Sequence, residues 1–326
     1  MLIARSPLRI TLGGGGTDIP SFARNYGGFW ISATIDKYVY VTAIRPFEPG
    51  IYLKYSKIEK VKEVEEVDHK IIKQALYMMK LKTPQIEITT LADIPAGTGL
   101  GSSSSFTNAL LKVLHTHYRK SISTKHLAEL SCELEIRQLK QPIGVQDQYA
   151  SSYGGINCFY YDTNQYERGI RVMPLRINYE TLMDLEDNLL LFFTGFSRQS
   201  SDILAEQEEK KNDEEMITNL NTVKQMGFEA KKLLEYGKTK EFGEQMNIHW
   251  ENKKKRSKNM TNPKIEHWHD LALKNGAVGG KLVGAGGGGF LLYYTHNKNL
   301  LRKKLTGEEG LEEVRFKFDF EGTRMI

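Results

Sequence analysis

Asp93-Ile94-Pro95-Ala96-Gly97-Thr98-Gly99-Leu100-Gly101-Ser102-Ser103-Ser104-Ser105 stands between two segments of different period. Before it, Gln85-Ile86-Glu87-Ile88-Thr89 alternates apolar with polar residues, as a strand does. After it, Phe106, Ala109, Leu110, Val113, Leu114 and His117 recur at three- and four-residue intervals, as on one face of a helix. The stretch is therefore a loop from a strand into a helix N-terminus. Gly97, Gly99 and Gly101 permit close backbone approach and φ angles closed to other residues, so several N–H groups can converge on one anion. The helix dipole adds about half a positive charge there, and the serine hydroxyls supply donors or a magnesium ligand. No Gly-Lys-Ser/Thr closes the loop, so it is not a Walker A loop, and its glycine spacing is not that of a dinucleotide fingerprint. A tight turn with a serine cap would look the same in isolation.

Working outward, Lys37-Tyr38-Val39-Tyr40-Val41-Thr42-Ala43-Ile44 reads as a strand. Ile71, Ile72, Ala75, Leu76 and Met79 predict a helix over 68–81. Ser123 is an expected N-cap of a helix running to Gln141-Pro142. The apolar run 188–194 suits a strand buried on both faces, and Phe290-Leu291-Leu292-Tyr293-Tyr294 is another strand. Residues 203–236 read as a long charged helical stretch with a break near Gly227, and alternation of Val314, Phe316, Phe318 and Phe320 reads as a final strand. With 326 residues the chain is long enough for two compact units with a cleft between them, changing over between residues 160 and 187.

The composition is that of a soluble globular protein; the opening Met1 to Pro7 reaches Arg and Pro before any apolar run of signal-peptide length and no later stretch is apolar enough for a bilayer, so the expected location is the cytoplasm. Cys132 and Cys158 are too few for a disulfide framework and lack metal-ligand spacing. Forty-five Lys and Arg against 40 Asp and Glu leave a net charge of +5, suited to an anionic small molecule. The densest basic run, Lys253-Lys254-Lys255-Arg256, lacks aromatic interleaving and reads as a solvated helix face rather than a phosphate or nucleic-acid patch.

Three further motifs can carry chemistry. Arg9-Ile10-Thr11-Leu12-Gly13-Gly14-Gly15-Gly16-Thr17-Asp18 ends in a carboxylate able to accept sugar hydroxyls, while Arg9 offers a planar fork of donors to a phosphoryl group. In Gly284-Ala285-Gly286-Gly287-Gly288-Gly289, four consecutive glycines are costly to order, so a ligand or the other glycine loop must need bare backbone there. Glu133-Leu134-Glu135 precedes Pro142-Ile143-Gly144-Val145-Gln146-Asp147-Gln148; Glu135 shares a small-residue stripe with Ala128 and Cys132, a tighter face than that of Glu133. Asp147 can take the proton of an attacking hydroxyl. Each carboxylate alone is more ordinary as a solvated or turn residue.

The order of these motifs resembles that of the GHMP kinases, the family of galactokinase, homoserine, mevalonate and phosphomevalonate kinases, across nearly the whole chain. The resemblance implies an α+β fold of two domains, 1–175 binding ATP with a left-handed βαβ unit and 176–326 ferredoxin-like, with ATP and Mg²⁺ in the cleft. It implies that Pro95, Gly97, Gly99, Leu100, Gly101, Ser102, Ser103 and Ser104 hold ATP, and that Ser103 and Glu135 hold the magnesium. Asp147 matches the catalytic aspartate and Arg9 the basic residue beside the transferred phosphoryl. Gly15, Gly16, Thr17 and Asp18 match the sugar-binding motif, and Gly286, Gly287 and Gly288 the late loop closing on the substrate. The opening Arg5-Ser6-Pro7-Leu8-Arg9-Ile10 is unlike galactokinases, which carry Gly-Glu-His-Thr-Asp in the glycine motif.

With Tyr26-Gly27-Gly28, Thr194-Gly195-Phe196-Ser197-Arg198 and Asn262-Pro263, the opening resembles the branch that phosphorylates the anomeric hydroxyl of D-glycero-D-manno-heptose 7-phosphate, toward nucleotide-activated heptose for bacterial surface polysaccharide. Fucokinase domains share much of this pattern. The expected partners are ATP and a sugar phosphate, with no nucleic acid and no membrane, in a monomer or homodimer; Arg24, Arg198, Lys254, Arg256 and Lys281 are possible holders of the remote phosphate. A family decarboxylase and a non-catalytic sugar sensor are the rival readings; Thr17-Asp18 argues against the first, and Ser103, Glu135 and Asp147 together against the second.

Overall fold

The structure is a computed structural model and describes residues 1–163, 169–196 and 213–326. Its strands form two sheets. The first begins with β1 (Leu2–Gly13) antiparallel to the long β2 (Gly28–Ile44), Arg9 facing Thr34 across the ladder. Then follow β3 (Ile51–Lys54), β4 (Ile58–Val61), β5 (Ile86–Ala92), β6 (Ile156–Tyr161) and β7 (Ile170–Pro174). The other edge of β2 is divided: Gly28 to Ala33 pair with β6, and Val39 to Ile44 with β5. β3 runs parallel to β5, which requires a crossover; the helix Lys70–Met78 lies on it, with the His69 side chain capping its first turn. The second sheet is wholly antiparallel: β8 (Leu189–Phe193), β9 (Gly279–Leu282), β10 (Phe290–Tyr294) and β11 (Glu312–Glu313), in the order β11-β8-β10-β9. A last strand, β12 (Arg324–Met325), returns to pair with β1.

Side chains on a strand alternate between faces, so a continuous apolar run must bury both. In β8, Leu189 and Leu191 pack in a core with Leu8, Ile10 and Leu12 of β1, whereas Leu190 and Phe192 pack with Trp250 and Ile265. β10 divides in the same way, Leu292 and Tyr294 to the first core and Leu291 and Tyr293 to the other. One apolar layer thus serves both sheets. At about 1.5–3 kcal/mol for each fully buried aliphatic side chain, it joins them firmly.

Two expectations change. Gly227 does not break its helix, which runs unbroken over Glu214–Glu235; a Cβ at Gly227 would stand 2.9 Å from the Phe29 ring and 3.1 Å from Gly14 Cα, so the glycine allows helix and sheet to touch. Residues 203–212 of that stretch lie outside the described residues. The 314–320 alternation is not a strand. Val314 N–H bonds Leu191 O, Phe318 N–H bonds Glu186 Oε1, and Phe318 forms only an isolated bridge with Ile35, so partners change along the segment. Of the alternating residues Phe316 and Phe318 are buried, Val314 is half-buried and Phe320 is 59% exposed, so the alternation marks neither a ladder nor one buried side.

Cys132 and Cys158 are free, and burial pushes the Cys158 thiol up to about 12, away from a reactive thiolate. Among the described residues no helix is long and apolar enough to cross a membrane.

Candidate active site

A cavity of about 160 Å³ opens where the two sheets meet, lined by β1, the glycine motif after it, the serine loop, the start of the helix Gln146–Tyr153 and, from the second unit, the helix Thr239–Lys254 and the end of β9.

Arg9 projects from β1 and is 5% exposed. Its Nε and Nη2 both lie 2.7 Å from Asp147 Oδ1, and Nη1 donates to Gly99 O at 2.6 Å. One guanidinium thereby ties the Asp147 carboxylate to the glycine loop. Asp147 sits in the first turn of its helix, where a negative charge is favoured. Among the described residues no donor reaches its Oδ2, which leaves that oxygen for a ligand. The flanking glutamines hold the turn: Gln146 Nε2 donates to Thr11 Oγ1 at 2.7 Å, and Gln148 Nε2 to Glu135 Oε2 at 2.6 Å.

Asp18 is 6% exposed and accepts N–H bonds from Gly16 (3.1 Å) and Gln146 (3.0 Å). Burial pushes its carboxyl up; the Gln146 bond opposes this and the nearby Asp147 charge adds to it. Any side chain at Gly144 would overlap Asp18 Oδ2, so the bare turn gives Asp18 its room. Gly15 and Gly16 line the cavity beside it, whereas Thr17 turns inward, its Oγ1 2.8 Å from the carbonyl oxygens of Gly14 and Phe29.

In the serine loop Gly97, Gly99 and Gly101 all have φ near +80°, and Gly101 is the N-cap of the helix Ser102–His117. Those three glycines line the cavity with Ser102 and Ser103. Pro95 is exposed at the outer end of the loop; Leu100 is fully buried in the shared core, and its carbonyl accepts the Arg9 N–H at 3.0 Å. Ser103 and Ser104 donate to Glu135 Oε1 (3.1 Å) and Oε2 (2.8 Å). Glu135 is fully buried, and burial pushes its carboxyl up against the pull of those donors. It stands on a widened turn, Glu133–Gln138, in which Leu139 N–H reaches back to Leu134 O at 3.0 Å; Glu133, on the outer side, pairs instead with Arg137.

The late glycine run divides. Gly284 and Ala285 line the cavity; Gly286, Gly287 and Gly288 are not in that lining and pack on Met260 and Phe196. Gly284 meets Gly99 backbone to backbone, where a Cβ would lie 2.5 Å from Gly99 Cα, so of the two expected reasons for bare backbone the other glycine loop is the one seen.

The basic run is not a solvated face. Lys253 and Arg256 are buried and line the cavity with Lys281 and His249, while Lys254 turns away to Glu251 and Glu266. Residues 249, 253 and 256 are spaced by four and three, one face of a helix, and that spacing was the available signal. Burial, then the charges of Lys281, Arg256 and Lys253, holds the His249 ring well below its usual range. Arg24 is exposed outside the cavity, and Ser197 and Arg198 lie outside the described residues.

Residues 69–155 match the GHMP kinase N-terminal domain and 230–309 the GHMP kinase C-terminal domain. The D-glycero-alpha-D-manno-heptose 7-phosphate kinase of Campylobacter jejuni is 30% identical over 338 residues, covering 98% of this chain and 97% of that protein. The L-fucokinase/L-fucose-1-P guanylyltransferase of Bacteroides fragilis is 27% identical over 96% of this chain and 37% of that protein. Among solved structures, a D-glycero-D-manno-heptose 1-phosphate kinase from Bacteroides thetaiotaomicron superposes with a TM-score of 0.81 at 25% identity, covering 100% of this chain and 99% of that one. With both family domains in order and a relative matched along nearly its full length, this chain belongs to the GHMP kinase family, as an ATP-dependent phosphotransferase of the sugar-kinase kind.

Proposed function

We propose that the chain transfers the γ-phosphoryl of ATP to the anomeric hydroxyl of D-glycero-D-manno-heptose 7-phosphate. The product is the 1,7-bisphosphate, an intermediate toward GDP-heptose for capsule or lipopolysaccharide, made in the cytoplasm by an ATP-binding unit (1–175) and a C-terminal unit (176–326). The observation that carries this reading is that one cavity combines a phosphate loop, a carboxylate with a free oxygen and a buried cationic wall, equipment for two anionic groups. The names of the heptose relatives differ in which phosphate they state, 7 or 1, and agree on a phosphorylated heptose.

Phosphoryl transfer depends mostly on positioning and charge neutralisation. The N–H groups of residues 97–103, at a helix N-terminus, hold the nucleotide's phosphates. Asp18 accepts hydroxyls of the sugar, and Asp147 Oδ2 orients the reacting hydroxyl and takes its proton. Arg9 fixes Asp147 through Oδ1 and offsets charge on the moving phosphoryl from the same guanidinium.

Mg²⁺ fits this donor set: Ser103 Oγ and Glu135 Oε1 are hard oxygens 3.1 Å apart, and the buried carboxylate has no cation of its own among its partners. The described residues hold no cluster of three or more His, Cys, Asp or Glu, so most ligands would come from the nucleotide and water. When bound, the metal neutralises charge on the β- and γ-phosphates.

A screen of ADP release against heptose 7-phosphate, mannose, fucose, galactose and mevalonate tests the reading. Turnover is expected with heptose 7-phosphate; activity on unphosphorylated fucose alone would replace it by the fucokinase reading that the Bacteroides fragilis relative favours.

A further inference from the structure

Among the described residues, the cations on the second-unit wall of the cavity have no carboxylate in ion-pair contact. Lys253, Arg256 and Lys281 are 7%, 3% and 3% exposed. Lys253 Nζ donates to the carbonyls of Leu282 and Gly284, Lys281 Nζ to Leu12 O at 2.7 Å, and Arg256 to Gly15 O at 3.1 Å and Asn219 Oδ1 at 2.9 Å. Every one of these acceptors is neutral. Among the described residues the buried Arg256 Nη2 has no partner, and neither does either ring nitrogen of His249, which lines the same cavity. A buried charge is normally paired, because leaving it alone forfeits its solvation with nothing in return. Three such side chains in one wall, with Arg256 and Lys281 both disfavouring the charge of Lys253 after burial itself, point to an anionic ligand that supplies the missing charge.

Position decides which anion. The nucleotide's phosphates already have the glycine loop, a helix N-terminus and Arg9. Arg256 lies on the acceptor side: its guanidinium bonds Gly15, abuts Gly16 and feels the Asp18 charge. Lys253 and Lys281 continue the patch behind it, toward Gly284 and Leu12. The neutral His249 ring adds hydrogen-bonding capacity without a fourth charge.

We infer that Arg256, backed by Lys253 and Lys281, forms the subsite for the phosphate monoester that the acceptor sugar already carries, and so selects a phosphorylated over an unphosphorylated acceptor. This rests on the chain being a kinase of a sugar phosphate. A charge-assisted bond from a guanidinium is the strong kind for such a group, and Nη2 is the donor left without a partner.

The test is the ratio of kcat/KM for heptose 7-phosphate to that for the unphosphorylated heptose, measured in wild type, Arg256→Gln and Arg256→Lys. Both substrates are assayed in one preparation, so any inactive fraction cancels. Arg256→Gln is expected to lower the ratio about ten- to a hundredfold, through KM for the sugar phosphate rather than KM for ATP, with partial recovery in Arg256→Lys. If the glutamine variant is too slow to assay, its Kd for heptose 7-phosphate from thermal-shift titration without ATP should rise by the same factor. A preserved ratio or Kd, or a rise confined to KM for ATP, overturns the assignment and gives the patch to the nucleotide. If wild type turns over no sugar phosphate, the substrate reading itself has failed; if it does and the variant keeps the preference, only the subsite is wrong.

Discussion

The two walls of the cleft treat buried charge in opposite ways. On the wall built from the first sheet and its helices every carboxylate is met: Asp147 by Arg9, Asp18 by two backbone N–H groups, Glu135 by two serines and Gln148. On the facing wall Lys253, Arg256 and Lys281 have neutral oxygens for company. The first arrangement is preorganised, its dipoles already aimed before any ligand arrives. The second is held at a loss until an anion enters. Catalytic groups gain from being fixed in advance, whereas a binding wall gains selectivity by being incomplete.

The contrast can be broken most sharply on the preorganised side. Asp147→Asn should reduce kcat about 10²- to 10⁴-fold while leaving the fold intact, read by steady-state ADP release and a melting curve. Near wild-type turnover would remove Asp147 from its role as base. At the other end of that wall, Glu135→Gln should raise the Mg²⁺ concentration for half-maximal activity roughly 10- to 100-fold. An unchanged Mg²⁺ dependence would reduce Glu135 to a support for Ser103 and Ser104.

The smallest effect tests the incomplete wall. Burial lowers the Lys281 ammonium to about 7 from 10.5, so between those values the unfolded chain holds a proton that the folded chain lacks. The penalty is full below pH 7 and fades as pH rises toward 10.5, so stability gains with pH in that window. Lys281→Met should therefore gain on wild type by on the order of 2 kcal/mol more at pH 6 than at pH 9, in urea unfolding without ligand. Loss of the Leu12 bond is common to both pH values and cancels. An equal shift at both would show that the ammonium stays hydrated.

Much of this site was legible in the sequence because local chemistry dictated it. The Gly97, Gly99, Gly101 spacing leads into a helix as the periodicity required, and the small-residue stripe distinguished buried Glu135 from Glu133. What escaped depends on tertiary surroundings. Lys253 and Arg256 sit in a run that looks solvated, since charge alone says nothing about which face a helix buries. Gly227 looked like a helix breaker because Phe29 and Gly14, which require its bare backbone, are some two hundred residues away. In the late run, the same glycine composition serves the cavity at Gly284 and packing at Gly286 to Gly288, a division set by Met260 and Phe196 rather than by neighbours in the chain.

The apolar layer shared by Leu8, Ile10 and Leu12 with Leu189, Leu191 and Leu292 also governs how the molecule comes apart. Swinging the sheets apart as rigid bodies would open that layer to water, so the layer resists such opening of the cleft. Unfolding either sheet would strip cover from the other, so the layer couples their stabilities. Ligand held between the walls then stabilises the folded cleft by mass action, and through the shared layer that gain reaches both sheets.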